Sequence, residues 1–185
     1  MSKTKTVTGY TLKELKEVSQ VGYAKALETL KDEVHSDPDD FTLDECMKSL
    51  KALMSALNLK LTDWEIGPYA PSWLRYEDEE PENEYGEPCR TIKERLSGFL
   101  IERGYTKNGK TSFPGLCALT GVCFDDDLLE HLHKTTDVGS LAEKIADIAE
   151  DDLEYRASEE GLLESPMAHD RYFTAEGKDV TDLLD

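Results

Sequence analysis

Residues 104–111 satisfy the pattern of a phosphate-binding loop. The run GYTKNGKT matches GxxxxGK[ST], in which backbone amides and a lysine hold phosphate groups. Such a loop needs a buried strand before it and a helix that begins at its lysine. Residues 92–103 instead predict an amphipathic helix, and Pro114 would interrupt any helix that followed the loop. We therefore interpret residues 107–110 as a polar turn and predict no nucleotide hydrolysis.

Two cysteines and two histidines have residue types that could bind zinc: Cys117, Cys123, His131 and His133. Their spacing, C-x5-C followed later by H-x-H, misses the short C-x-x-C-like separations of structural zinc sites. The two histidines would also point to different sides of a helix that contained both. We predict small buried thiols and surface imidazoles here, with no metal and no cofactor.

Acidic clusters and nucleophile motifs predict no catalytic centre. Asp125, Asp126 and Asp127 stand at the start of a predicted helix, where carboxylates complement the helix dipole without a cation. The sequence contains no GxSxG or HExxH motif and no convincing cysteine–histidine pair. The chain is therefore predicted not to be an enzyme.

Capping boxes mark the expected helix starts, because a hydroxyl and a carboxylate three residues later can satisfy the first helical amides. The matching pairs are Thr11/Glu14, Thr42/Glu45, Thr62/Glu65, Thr91/Glu94 and Ser140/Glu143. Four of them open apolar runs with helical spacing. The predicted helices cover about residues 12–30, 43–57, 92–100, 128–132 and 141–153.

The fold class that follows is mainly α. Alternating strand-like runs are nearly absent, so we predict a compact helical domain over residues 1–165. An irregular aromatic and acidic section is expected at about residues 64–88. Residues 166–185 are predicted to form a tail or a small hairpin around Glu176 and Gly177.

Composition limits the classes of function. The chain has 185 residues, 38% of them hydrophobic, which is enough for one folded domain. Its net charge of −19 discourages binding to DNA, RNA or anionic membranes. The sequence has no twenty-residue apolar stretch and no apolar signal core near residue 1, so we expect a cytoplasmic protein with reduced cysteines.

The helix predicted at 141–153 separates apolar from acidic residues. One side carries Leu141, Ile145, Ile148, Ala149 and Leu153, and the other carries Glu143, Asp147, Glu150, Asp151 and Glu154. Residues four apart lie about 6 Å apart along the axis, close to the spacing of successive phosphates in a nucleic-acid strand. The acidic side is either an ordinary solvated face or a carboxylate stripe shaped for a basic, nucleic-acid-binding protein.

A second acidic block follows an aromatic segment. Residues 77–87 contain seven acids in eleven positions, and both tryptophans lie in the loop just before them. Glycine and prolines at 67, 68 and 71 predict a surface loop there. Aromatic residues beside carboxylates suit an interface with a basic partner. Alternatively, Trp64 and Trp73 fold back over the helical core.

The segment GLCALTGVCFDDDLL, residues 115–129, is similar to segments of small accessory proteins of bacteriophages. In size, acidity and helical content the chain also resembles, without a shared motif, phage-encoded inhibitors that imitate DNA, namely anti-restriction and some anti-CRISPR proteins. This resemblance implies a defence nuclease, or another basic nucleic-acid-handling enzyme, as the target. It assigns no role to individual residues.

We therefore expect a non-enzymatic inhibitor or interaction protein that binds the basic nucleic-acid-binding surface of a partner protein. The residues predicted to contact that partner are Glu143, Asp147, Glu150, Asp151, Glu154, Glu77, Asp78, Glu79, Glu80, Trp73 and Tyr76. The alternative is an antitoxin-like or assembly protein that is recognised through the aromatic loop at 64–76, with acidity serving solubility alone.

Overall fold

The computed structural model describes residues 8–36, 41–67, 71–106, 109–110, 120 and 124–184. The fold is mainly helical, as predicted, with short antiparallel strands. Its elements in chain order are α1 (Leu12–Val18), α2 (Gln20–Ser36), α3 (Phe41–Ala56), β1 (Leu59–Glu65), β2 (Trp73–Asp78), α4 (Ile92–Glu102), β3 (Tyr105–Thr106), β4 (Gly109–Lys110), α5 (Asp125–Thr135), α6 (Leu141–Ala157), α7 (Glu159–Glu164), α8 (Pro166–His169) and a 3₁₀ turn at Thr181–Leu183.

The chain divides into two compact units. The first combines Met1–Asp39 with Asp151–Asp185, and the second is Asp40–Glu150, so that one boundary falls within α6. The core of the first unit is formed by α1, α2 and the segment after α6, with Phe173 fully buried in it. The prediction of one domain over residues 1–165 followed by a tail stays a prediction.

The core of the second unit is built from the apolar sides of α3, α4, α5 and α6. Its fully buried members include Leu50, Leu53, Leu57, Leu128, Leu129, Leu132, Leu141 and Ile145. Removing such side chains from water is the main favourable contribution to folding. These burials fix which side of each helix faces solvent.

Two of the predicted capping boxes are present in full. The backbone amide of Thr11 donates to Glu14 at 2.9 Å, and Thr91 and Glu94 form the same reciprocal pair at the start of α4. Gly104, with φ of +84°, follows the end of α4, in the left-handed conformation that glycine adopts without strain.

The helix predicted over residues 12–30 is broken at Ser19, which has an extended backbone. The Ser19 hydroxyl accepts a hydrogen bond from the amide of Gly22, and its carbonyl accepts one from Tyr23. Serine therefore begins a new helix here, because its side chain replaces a missing intrahelical partner. The apolar periodicity continues across the break, which is why the sequence pattern did not show it.

The predicted irregular section is wrong in part, because residues 59–78 contain an antiparallel hairpin of β1 and β2. Leu59 and Leu61 point towards the core while Lys60 and Thr62 are exposed. This alternation is typical of a half-buried strand. The Thr62/Glu65 pair therefore lies within a strand, where a capping box has no helix to start.

A tight turn at Gly177 brings the segment after α8 against α2. The φ of Gly177 is +81°, and its amide donates to the carbonyl of Thr174. Phe173 forms isolated bridges with Tyr10 and Asp179 rather than extended strands. A Cβ atom added to Gly22 would lie 2.2 Å from the carbonyl oxygen of Ala175, so the two backbones touch here.

Replacing Gly22 with Ala should destabilise the protein by about 1–3 kcal/mol, because backbone atoms must separate to admit the methyl group. Urea unfolding followed by circular dichroism measures the change. The matched control is Gly98→Ala at an exposed position of α4, where an added Cβ meets nothing within 4 Å. That substitution should stabilise by about 0.5–1 kcal/mol. Equal stability of the two variants would contradict the close approach.

Candidate partner-binding surfaces

The exposed side of α6 is set by what its opposite side buries. Leu141 and Ile145 are fully buried, and Ile148 is nearly so. Since residues that share a helix face recur every three or four positions, this burial orients the acidic side towards solvent. The predicted apolar side is confirmed at these three positions, while Ala149 and Leu153 are half-buried.

All five acids predicted on this helix are exposed: Glu143, Asp147, Glu150, Asp151 and Glu154. We call them the α6 stripe. Within the described part of the chain, none of them has an ion pair or a side-chain hydrogen bond. The nearby cation Arg156 instead pairs with Asp152 at 3.0 Å, outside the stripe. The stripe is therefore a row of uncompensated negative charge.

Like charges repel along the stripe. Glu143 and Asp147, Asp147 and Asp151, and Glu150 and Glu154 are each four residues apart, a spacing at which like-charged pairs destabilise a helix by a few tenths of a kcal/mol. Burial of the apolar side supplies more than enough free energy to hold the helix against this repulsion. The stripe costs stability and makes no compensating contact within the described chain.

The acidic block at residues 77–87 is less uniform than predicted. Glu77 and Asp78 are exposed but paired, with Lys60 at 3.8 Å and with Arg95 at 2.8 Å respectively. Glu79 is exposed and forms no ion pair within the described residues. The free carboxylates of this block thus belong to Glu79 and to the turn beyond it.

Glu80 departs from the predicted set, because its side chain is buried and bound within the protein. One carboxylate oxygen accepts a hydrogen bond from Arg90 at 2.8 Å, and the other accepts one from Asn58 at 2.7 Å. Arg95, also buried, lies 3.2 Å from the same carboxylate. We call Glu80, Arg90, Arg95, Asn58 and Asp78 the Glu80 network. Its role is to close the base of the acidic loop.

The hydrogen bonds from Arg90 and Asn58 lower the pKa of Glu80 to about 2, although burial acts in the opposite direction. Two other atoms in the network remain unsatisfied: Nε and Nη1 of Arg95 are buried without a hydrogen-bond partner among the described residues, although Nη1 stays within ion-pair distance of Glu80. The carboxylates next to this buried arginine offset the free-energy cost of removing its charged guanidinium from water.

The two aromatic residues of the predicted set face opposite sides of β2. Tyr76 packs against the core of the second unit, and its pKa is raised first by burial and then by the carboxylates of Asp137 and Asp78. Trp73 is half-buried, donates its indole N–H to Glu65 at 3.1 Å and lies under the guanidinium of Arg75. Both rings therefore make structural contacts, and their contact with a partner stays a prediction.

Within residues 59–87, two exposed aromatic residues were absent from the predicted set. Trp64 is 42% exposed, and Tyr85 is 79% exposed at the tip of the acidic loop. The amides of Tyr85 and Glu87 both donate to the side-chain oxygen of Asn83, which fixes this turn. The Asn-x-Tyr-Gly sequence is typical of a turn and could have indicated that the tyrosine lies at its tip.

The other motifs have structural roles where they are described. Tyr105 pairs with Lys110 in a two-stranded ladder, so the phosphate-loop pattern leads into a hairpin rather than a helix. His131 forms a hydrogen bond with Ser140, and the ring of His133 lies 5.3 Å from that of Tyr105. Cys117 and Cys123 lie outside the described residues. No group of metal-binding side chains occurs in the part of the chain that is described.

Comparison of the chain with protein-family models, with characterised proteins and with solved structures finds no match. Across the described residues, no helix has both the length and the apolar character needed to cross a membrane.

Replacing Glu80 with Gln should lower the urea midpoint at pH 7, because the buried guanidinium of Arg95 and the exposed one of Arg90 lose their shared charged partner. The pKa of Glu80 falls from its ordinary value of 4.5 to about 2 on folding. The carboxylate therefore stabilises the fold above about pH 4.5, and this contribution is lost as the pH falls towards 2. Urea titrations should show a smaller difference in unfolding midpoint between wild type and variant at pH 3 than at pH 7.

The control for this substitution is Glu79→Gln, the exposed neighbour without an ion pair. It should change the free energy of unfolding by less than about 0.5 kcal/mol at either pH. A loss of stability that is independent of pH, or one that is shared equally by both variants, would contradict the assigned role of Glu80.

Neutralising the whole α6 stripe, with Glu→Gln and Asp→Asn at its five positions, should stabilise the protein by about 1 kcal/mol in low salt, because several repulsive pairs disappear. The gain should shrink in ~0.5 M salt, where exposed charges are screened. Thermal unfolding at the two salt concentrations measures it. A less stable variant would show that the carboxylates make stabilising contacts.

Proposed function

We propose that this protein is a non-enzymatic inhibitor that occupies the basic nucleic-acid-binding surface of a partner protein. The α6 stripe is the principal contact, and the acidic loop at 77–87 contributes further negative charge. The resemblance to phage-encoded inhibitors suggests a defence nuclease in the host cytoplasm as the class of partner. In this proposal the protein does not bind nucleic acid or membranes itself.

The observation that supports the proposal is the uncompensated charge of the α6 stripe. Elsewhere in the described chain, some exposed acids have a cation nearby, as Glu159 has Lys16 at 2.7 Å and Glu130 has Lys134 at 2.7 Å. Five free carboxylates along one helix fit the use of this charge in recognition.

Charge of this kind acts mainly on the rate and selectivity of binding. Negative potential over the surface attracts a cationic cleft and can accelerate association by orders of magnitude at low salt. Carboxylates about 6 Å apart along the axis would meet the same arginine and lysine groups that hold successive phosphates. A nuclease with its cleft filled in this way cannot bind DNA.

The test is capture of the partner from the native host with wild-type protein and with the stripe-neutralised variant. Wild type should retain a basic nucleic-acid-binding protein in ~50 mM salt and lose much of it in ~500 mM salt, since screening weakens exposed charge pairs. Added duplex DNA should compete for the same partner. The stripe-neutralised variant should bind at least ten-fold more weakly, as measured by surface plasmon resonance with the identified partner.

The matched control has five acids neutralised outside the stripe. These are Glu17, Glu28, Asp32, Asp44 and Glu102, which are all exposed, so the control and the stripe-neutralised variant carry the same net charge. Retained binding by the control would show that position, and not total charge, matters. Equal weakening by both variants, or binding that ignores salt and DNA, would contradict the proposal.

A second candidate function is that of an antitoxin-like or assembly protein recognised through its aromatic segment. The 42% exposure of Trp64 favours this candidate. In the same assay, a partner of this kind should bind both charge variants as it binds wild type. Its binding should fall when Trp64 is replaced by Ala with every charge retained.

A further inference from the structure

A groove of about 530 Å³ lies beside β1 in the second unit. Six consecutive strand residues line it, from Leu59 to Trp64, together with Lys51, Met54 and Ser55 of α3, Asn58 and Glu79. Its volume is within the range of known ligand sites. All of these residues belong to the described chain, and none of them is part of the α6 stripe.

The groove follows the outer edge of β1. Successive side chains of a strand point to opposite faces of a sheet, so a cavity on one face would contact alternate residues. This groove contacts every residue from Leu59 to Trp64 and none of β2. In the described chain β2 is the one strand paired with β1, so the opposite edge of β1 has no strand partner, although the Trp64 amide donates to the side chain of Asp63 at 3.0 Å.

A bulge gives this edge an apolar end. The register shifts between Leu61 and Asp63, after which Trp64 pairs with Leu74. Leu74 packs against the core, and cross-strand partners share a face, so Trp64 lies on the core-facing side beyond the part that α3 covers. The apolar residues that line the groove are exposed Trp64, partly buried Leu61 and the buried Leu59 and Met54, which we call the apolar strip.

Two of the charges that line the groove are already paired across the hairpin. Lys60 lies 3.8 Å from Glu77, and Asp63 lies 3.9 Å from Arg75. Lys51 and Glu79 are exposed and have no ion pair among the described residues. A ligand of this edge would therefore meet one free cation and one free carboxylate.

We propose that the outer edge of β1 binds an extended segment of a partner protein by strand addition. The segment carries apolar side chains at alternate positions for the strip that ends at Trp64, a carboxylate for Lys51 and a cation for Glu79. A second copy of this chain fits less well, because each molecule has a net charge of −19 and Lys60 and the bulge disfavour self-pairing. The site does not depend on the α6 stripe.

The probe is the blocked peptide acetyl-TVEVTVKT-amide, together with acetyl-TVKVTVET-amide, in which the two charges are exchanged so that both strand directions are sampled. One of the two should bind the full chain saturably and slow hydrogen exchange of the β1 amides. A peptide methylated at alternate backbone nitrogens should lose binding at least ten-fold, because it cannot form the ladder. Trp64→Ala should weaken binding to a similar extent.

Charge reversal tests the assigned chemistry. Lys51→Glu lies on an exposed helix position and should weaken the better peptide about two- to five-fold, as expected for an exposed ion pair. A peptide with lysine in place of its glutamate should recover that loss. Any of three results would overturn the proposal: no binding at about 1 mM peptide, equal binding of the methylated peptide, or protection from hydrogen exchange away from β1. Dimerisation that protects β1 without peptide would also overturn it.

Discussion

Burial of Leu141 and Ile145 fixes the rotation of α6 about its axis, and the exposed charge of the helix follows from that rotation. A rotation of the helix that buried its acids is unfavourable. The free-energy cost of an unpaired carboxylate in the core far exceeds the repulsion between exposed carboxylates. The core therefore does two things at once. It stabilises the second unit and orients the stripe carboxylates of that unit, Glu143, Asp147 and Glu150, towards solvent.

The acids of this chain separate into a structural group and a free group. Glu80 lies at the base of the acidic loop, where Arg90 and Asn58 hold its carboxylate, and Glu159 accepts hydrogen bonds from Lys16 and Tyr23. The members of the α6 stripe have no such contacts among the described residues. The acids therefore have two roles. The paired carboxylates stabilise the fold, and the unpaired ones produce the negative electrostatic potential of the surface.

Much of the helical architecture and the α6 stripe could be predicted from sequence, because capping pairs and apolar periodicity are local signals. The capping box of Thr91 and Glu94 at the start of α4 is an example. The hairpin of β1 and β2 could not be predicted in this way. Thr62 and Glu65 match a helix start by spacing alone, whereas packing of Leu59 and Leu61 on the core makes this segment a strand. Glu80 was predicted as an exposed contact residue, and its burial was missed for a related reason: its partners Asn58 and Arg95 are distant in sequence, and burial of a glutamate gives no local signal.

The first unit is assembled from segments that are far apart in the sequence, since α1 and α2 share their core with Leu162 and Phe173. Synthesis is vectorial, so residues 40–150 of the second unit leave the ribosome before residue 173 does. Until then the apolar sides of α1 and α2 lack part of their covering. Folding of the first unit therefore depends on long-range contacts that form only after residue 173 has been synthesised.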